Sequence, residues 1–112
     1  MITIEALREY GAAVDEGLAR CMNNEGFYLK LVEKVLKDKG FEELDAAVAA
    51  NDPDAAFEAA HKLKGVLANL ALTPICTPVN EMVELLRSRT QADYTQYIKQ
   101  INEKKGILEA MI

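Results

Sequence analysis

His61 is the only histidine in the chain, and it stands in the run Ala60-His61-Lys62-Leu63-Lys64-Gly65. One imidazole cannot build a metal site alone, because metal centres draw on several ligands at once. It can act as a nucleophile. An exposed imidazole titrates near ~6.5, so close to neutral pH much of it keeps a free lone pair. That lone pair can attack phosphorus, and a nearby cation can offset the charge on the group that arrives. Lys64 and Gly65 follow His61 by three and four residues, one turn along a helix. The spacing reads as a site that carries a phosphoryl group. No Gly-rich phosphate loop and no carboxylate pair suited to Mg²⁺ accompany it. The chain can therefore hold such a group but shows no means of taking one from ATP.

The helix around His61 decides where it points. At roughly 100° per residue, Ala56, Ala59, Ala60, Leu63, Val66, Leu67 and Leu70 share one arc, the expected core side. His61 falls opposite, with Asp54, Phe57, Glu58, Lys64, Gly65, Ala68 and Leu72 within about 60° of it. A histidine satisfied inside the core would lie in the apolar arc, and this one does not. The plain alternative is an inert surface histidine. Three features weigh against that. Lys64 can reach a charge placed on the imidazole. Gly65 costs about 1 kcal/mol relative to alanine in an exposed helix, yet leaves room for a second surface to approach. Phe57, Ala68 and Leu72 put apolar area around the histidine, where a solvated face would be polar. The alternative for Phe57 is that an accessory helix covers it.

Positioning this face requires helices, and the sequence supplies little else. Period-two alternation is absent over any length, while Ala, Leu, Glu and Lys recur at helical spacing. The pattern predicts short helices over 3–10 and 12–22, then a strongly amphipathic one over 25–38. Phe27, Tyr28, Leu31, Val32, Val35 and Leu36 form its inward stripe. Lys39-Gly40 is the expected stop, with Gly40 as a left-handed cap. A shorter helix follows over 41–50, with Leu44 and Val48 inward. Asp52-Pro53 signals a capped start with proline at the first helical position. That helix runs over 53–72 and carries His61. Thr73-Pro74 and Thr77-Pro78 both offer starts for the next helix, so a short turn over 74–77 and a helix over 78–90 are expected. Val79, Met82, Val83 and Leu86 are its inward residues. The last helix spans 93–112, with Tyr94, Tyr97, Ile98, Ile101 and Leu108 inward and Gly106 weakening its last turn. The expected fold is all-α: an up-down four-helix bundle of the longest pieces, 25–38, 53–72, 78–90 and 93–112. The short N-terminal pieces and 41–50 would be accessory.

Composition sets the outer bounds. The chain has 112 residues, half of them apolar, and a formal net charge of −5. One domain over 1–112 with a core of its own is expected. The acidic balance speaks against nucleic acid as a partner, since phosphate contacts need clustered Lys and Arg. Cys21 and Cys76 lie far apart with no CxxC, so they read as small buried hydrophobes, and no metal set is expected. No signal peptide or membrane-length apolar run is visible. A soluble, cytoplasmic and monomeric protein is the expectation.

Ala59-Ala60-His61-Lys62-Leu63-Lys64-Gly65, followed by Asn69-Leu70-Ala71-Leu72, resembles the signature of histidine-containing phosphotransfer (HPt) domains of multistep phosphorelays. The resemblance covers most of the chain. It implies that His61 is the phosphorylated residue, that Lys64 is its charge partner and that Gly65 gives clearance for a partner. It adds Arg87 as a basic residue near the phosphoryl group, against the alternative of an ordinary solvated charge. Phe57, Lys62, Ala68 and Leu72 would form the partner surface, while Asn69 serves helix packing at least as readily. The implied partners are response-regulator receiver domains and a hybrid histidine kinase. No cofactor is implied on this chain, and Mg²⁺ is expected on the receiver. Two departures stand out. Ala71 replaces the family's usual glycine, and Val83, with Glu84 and Glu81 nearby, replaces a frequent Glu or Gln that could hydrogen-bond the histidine. Two other readings use the same residues. One is the phosphoacceptor domain of a chemotaxis-type kinase. The other is a helical interaction module that is never phosphorylated.

Overall fold

The computed structural model describes residues 2–112, and among these it contains seven helices and no strand. The N-terminal part holds α1 (Ile4–Tyr10), α2 (Val14–Arg20) and α3 (Glu25–Val35). Then come α4 (Gly40–Ala49), α5 (Pro53–Asn69), α6 (Thr73–Arg87) and α7 (Tyr94–Glu109). Several starts are set by short polar side chains that satisfy otherwise unpaired helix N–H groups. Thr3 Oγ1 accepts from the Ala6 N–H at 3.1 Å, Asn24 Oδ1 from Phe27 at 3.0 Å and Asp52 Oδ1 from Ala55 at 3.1 Å. Pro53 occupies the first turn of α5, as its missing N–H allows.

The bundle is closed by α4, α5, α6 and α7. Each packs on the next, and α7 returns to α4. The links between them are short, so neighbours run antiparallel. The expected all-α bundle is present, but one of its four expected helices is wrong. α4 belongs to the ring and α3 does not. Length was a poor guide because close approach decides the pairing. Phe41, Leu44 and Ala47 form a buried stripe on α4. Gly40 lets the helix sit against Leu63, whose Cδ2 would lie 3.0 Å from a Cβ built there. Gly40 is therefore the first residue of α4 and not a left-handed cap on α3; Gly11 is the only glycine with positive φ among the described residues. The Lys105 ammonium lies 4.8 Å from the Phe41 ring centre, tying α7 to α4.

The three N-terminal helices cap the far end of α5. Helix ends leave carbonyls without partners, and here non-local donors supply them. Arg20 Nη1 donates to the Ala68 carbonyl at 2.7 Å, with the Asn69 carbonyl at 3.4 Å. The Tyr28 hydroxyl donates to the Leu70 carbonyl at 2.8 Å, and the Ala13 N–H donates to the Ala71 carbonyl at 2.9 Å. Tyr28 is fully buried, and burial pushes its hydroxyl up to about 12. Gly17 permits this contact, since a Cβ there would meet Tyr28 Cε1 at 2.5 Å.

Four further expectations are corrected. α5 ends at Asn69, the chain reverses through Ala71 at φ 56°, and Leu72 turns into the core. Phe27, expected inward, is 50% exposed, because α3 buries Tyr28, Val32 and Val35 and half-buries Leu29 and Leu31, and Phe27 falls outside that contact. Val66, at the edge of the expected core arc, is 39% exposed and faces a shallow groove shared with Leu31 and Lys34 of α3. α6 starts at Thr73 and runs through Pro78 without a separate turn. Pro78 forfeits one backbone bond, and the Thr77 hydroxyl donates to the Thr73 carbonyl at 3.1 Å in the same turn.

Candidate functional site

α5 is the central helix, with α4 on one flank and α6 on the other. Ala56, Ala59, Ala60, Leu63 and Leu67 are buried and anchor it. The opposite side is therefore forced outward. His61, Lys62, Gly65 and Ala68 are exposed there, and Lys64 and Phe57 are partly covered. The imidazole of His61 stacks on the Phe57 ring, with centroids 5.6 Å apart and planes 28° from parallel. Stacking one turn apart restricts the imidazole to a narrow set of orientations. No accessory helix covers Phe57. It packs against the core on one side, with His61 and Arg87, whose guanidinium carbon lies 5.5 Å from the ring centre, as further contacts.

α6 brings charge to this face. Glu84 sits between two cations, with Oε1 4.0 Å from Lys64 Nζ and Oε2 3.8 Å from Arg87 Nε. Arg87, Phe57, His61, Lys64 and Glu84 thus form one cluster across the α5–α6 seam. The pairs are exposed and long, so each contributes little to stability. They bring two cations to the face that carries His61. Val83 is fully buried in the core, so no side chain of α6 at that position reaches the histidine. Asn80 Oδ1 is buried without a hydrogen-bond partner, one turn before Glu84 on α6.

The remaining expected site residues separate cleanly. A Cβ added to Gly65 would meet nothing within 4 Å, so internal packing does not require the glycine. Ala68 is exposed at the end of the same face, close to where Arg20 caps its carbonyl. Leu72 is not on the face at all: it is fully buried and precedes the first residue of α6. Asn69 is exposed, with its carbonyl near Arg20. In the sequence Glu84 stood out only, together with Glu81, as an acidic residue close to Val83. Its role as a bridge depends on how α5 and α6 are set against each other, which spacing within one helix cannot reveal. Among the described residues no group of three or more His, Cys, Asp or Glu could hold a metal ion, and no helix is long and apolar enough to cross a membrane.

The family model for the Hpt domain matches residues 38–111. The chain belongs to the Hpt domain family. No match was found among curated proteins or among solved structures. The matched segment begins just before α4 and ends after α7, so it spans the bundle and leaves α1, α2 and α3 outside. Membership carries phosphotransfer in two-component systems, as a phosphocarrier without an ATP site of its own. It also carries receiver domains and histidine kinases as the family's partners.

Proposed function

We propose that this Hpt domain is a phosphorelay carrier that accepts its phosphoryl group on His61. One observation carries the reading. The chain's single histidine is exposed at the middle of the central helix, steadied by Phe57 and flanked by Lys64 and Arg87. A ring nitrogen of His61 attacks the phosphorus of a receiver's aspartyl phosphate. The P–N bond forms as the acyl P–O bond breaks, and the receiver's aspartate leaves as carboxylate. The reverse sequence delivers the group to another receiver. Lys64 and Arg87 offset the charge that arrives. Gly65 lets the receiver's acidic pocket, with its Mg²⁺, come close enough for bonding. Phe57, Lys62 and Ala68 form the docking surface, without the buried Leu72. The carrier is proposed to act as a monomer in the cytoplasm, where its net charge of −5 opposes self-association.

The test is phosphoryl uptake from phosphorylated receiver domains of the same organism. Wild type is expected to gain acid-labile, base-stable phosphate. His61→Gln is expected to gain none while melting within a degree or two of wild type, because an exposed substitution costs within about 0.5 kcal/mol. Labelling retained in that variant overturns the assignment.

A further inference from the structure

We infer that Glu84 is a counter-charge that weakens the hold of His61 on its phosphoryl group and so favours its release. The inference rests on the phosphocarrier reading above. It starts from the placement of charge. The cations nearest His61 in the cluster are Lys64, one turn along α5, and Arg87, whose guanidinium lies over the Phe57 ring that stacks on His61. Both are engaged by the same carboxylate, at 4.0 Å and 3.8 Å. Glu58 and Lys62 are further charged residues near His61 on α5, and Asp54, two turns before it on the same face, is paired with Arg89 at 2.9 Å; none of the three is within ion-pair distance of the cluster.

Glu84 divides its charge between two partners, and both separations exceed normal hydrogen-bond length. Such pairs yield easily. A phosphoryl group on the imidazole would bring a charge of about −1.5 to −2 and three strong acceptor oxygens. It therefore draws Lys64 and Arg87 away from a single carboxylate. Glu84 then remains as an uncompensated like charge on the neighbouring helix. Two consequences follow from one residue. In the empty state Glu84 is shared between the two cations of the cluster. In the loaded state it raises the free energy of the phosphorylated form, which favours donation. Val83, buried next to it, offers the ring no hydrogen bond, whereas Glu84 and Arg87 bring charge to the cluster from α6.

The experiment needs no receiver. The 112-residue chain is phosphorylated with phosphoramidate: a His61 nitrogen attacks phosphorus, the bond from phosphorus to the amino nitrogen breaks, and ammonia leaves. Intact mass verifies the loading. The ³¹P shift is then titrated from pH ~9 to ~5 for wild type, Glu84→Gln and Glu84→Asp. Loss of a neighbouring negative charge favours the phosphoryl dianion and disfavours a protonated ring, so the midpoint moves down whichever proton is read. Glu84→Gln is expected to lower it by about 0.2–0.7 unit, the range for an exposed charge pair, and the difference should shrink at ~0.5 M salt. Glu84→Asp, which keeps the carboxylate, stays near wild type. An unmoved or raised midpoint in Glu84→Gln overturns the inference and leaves the phosphocarrier reading standing. Wild type that takes no phosphoryl group on His61 overturns both.

Discussion

Replacing Gly65 separates stability from docking. In an exposed helix interior, alanine is preferred over glycine by about 1 kcal/mol. That gain is fully available here, because a Cβ at Gly65 would meet nothing within 4 Å and no neighbour has to move. With an unfolding entropy of about 2.1 cal/mol/K per residue, a chain of 112 residues should melt about 4 °C higher as Gly65→Ala. Gly65→Gln should keep most of that gain, since glutamine is also a good helix former. Its longer side chain, however, stands one turn from His61 on the surface a receiver must cover. Transfer from a saturating phosphorylated receiver is therefore expected to fall at least tenfold in Gly65→Gln, with Gly65→Ala in between. Melting curves and transfer rates are measured on the same samples. A lower melting temperature in Gly65→Ala would refute the open space assigned to this position. Wild-type transfer by Gly65→Gln would refute the clearance role and move the docking surface off this turn.

Two other expectations concern the partners of α5. Lys64→Ala removes a cation whose only ion pair among the described residues is the long one to Glu84. Melting should stay close to wild type, while phosphoryl transfer slows about tenfold, the scale of a lost charge-assisted hydrogen bond; equal rates would make Lys64 an ordinary solvated charge. Tyr28→Phe strands the Leu70 carbonyl in a buried site and should lower stability by about 1–3 kcal/mol, read as a lower urea midpoint at unchanged slope. Burial raises the Tyr28 hydroxyl above its ordinary value near ~10, to about 12 in the folded chain. Its contribution is thus complete below the unfolded value and is lost as pH rises through the folded one. The alkaline loss of stability between these values should be smaller in Tyr28→Phe than in wild type, and identical alkaline curves would count against the buried bond.

What could be read from sequence was local. Asp52-Pro53 announces the start of α5 because both capping and the proline preference act within one turn. The outward direction of His61 follows from 100° per residue over a helix whose apolar side is almost continuous. The end of α5 was not legible. The helical pattern alone carries on to Leu72, but the carbonyls of Ala68, Leu70 and Ala71 are taken by Arg20, Tyr28 and Ala13, which lie 42 to 58 residues earlier. Those donors stop the helix at Asn69 and turn Leu72 inward. The same tie accounts for Ala71. Its φ of 56° lies in the left-handed region, where a residue with a Cβ is strained by about 1–2 kcal/mol. Glycine, the family's usual residue at this point, suits that conformation without strain. Here alanine is held in it by the Ala13 N–H on its own carbonyl and by the burial of its neighbours Leu70 and Leu72. The cap built by α1, α2 and α3 therefore does for this helix end what glycine would do locally. The segment outside the matched bundle thus has a physical role, which is to fix the end of the helix that carries His61.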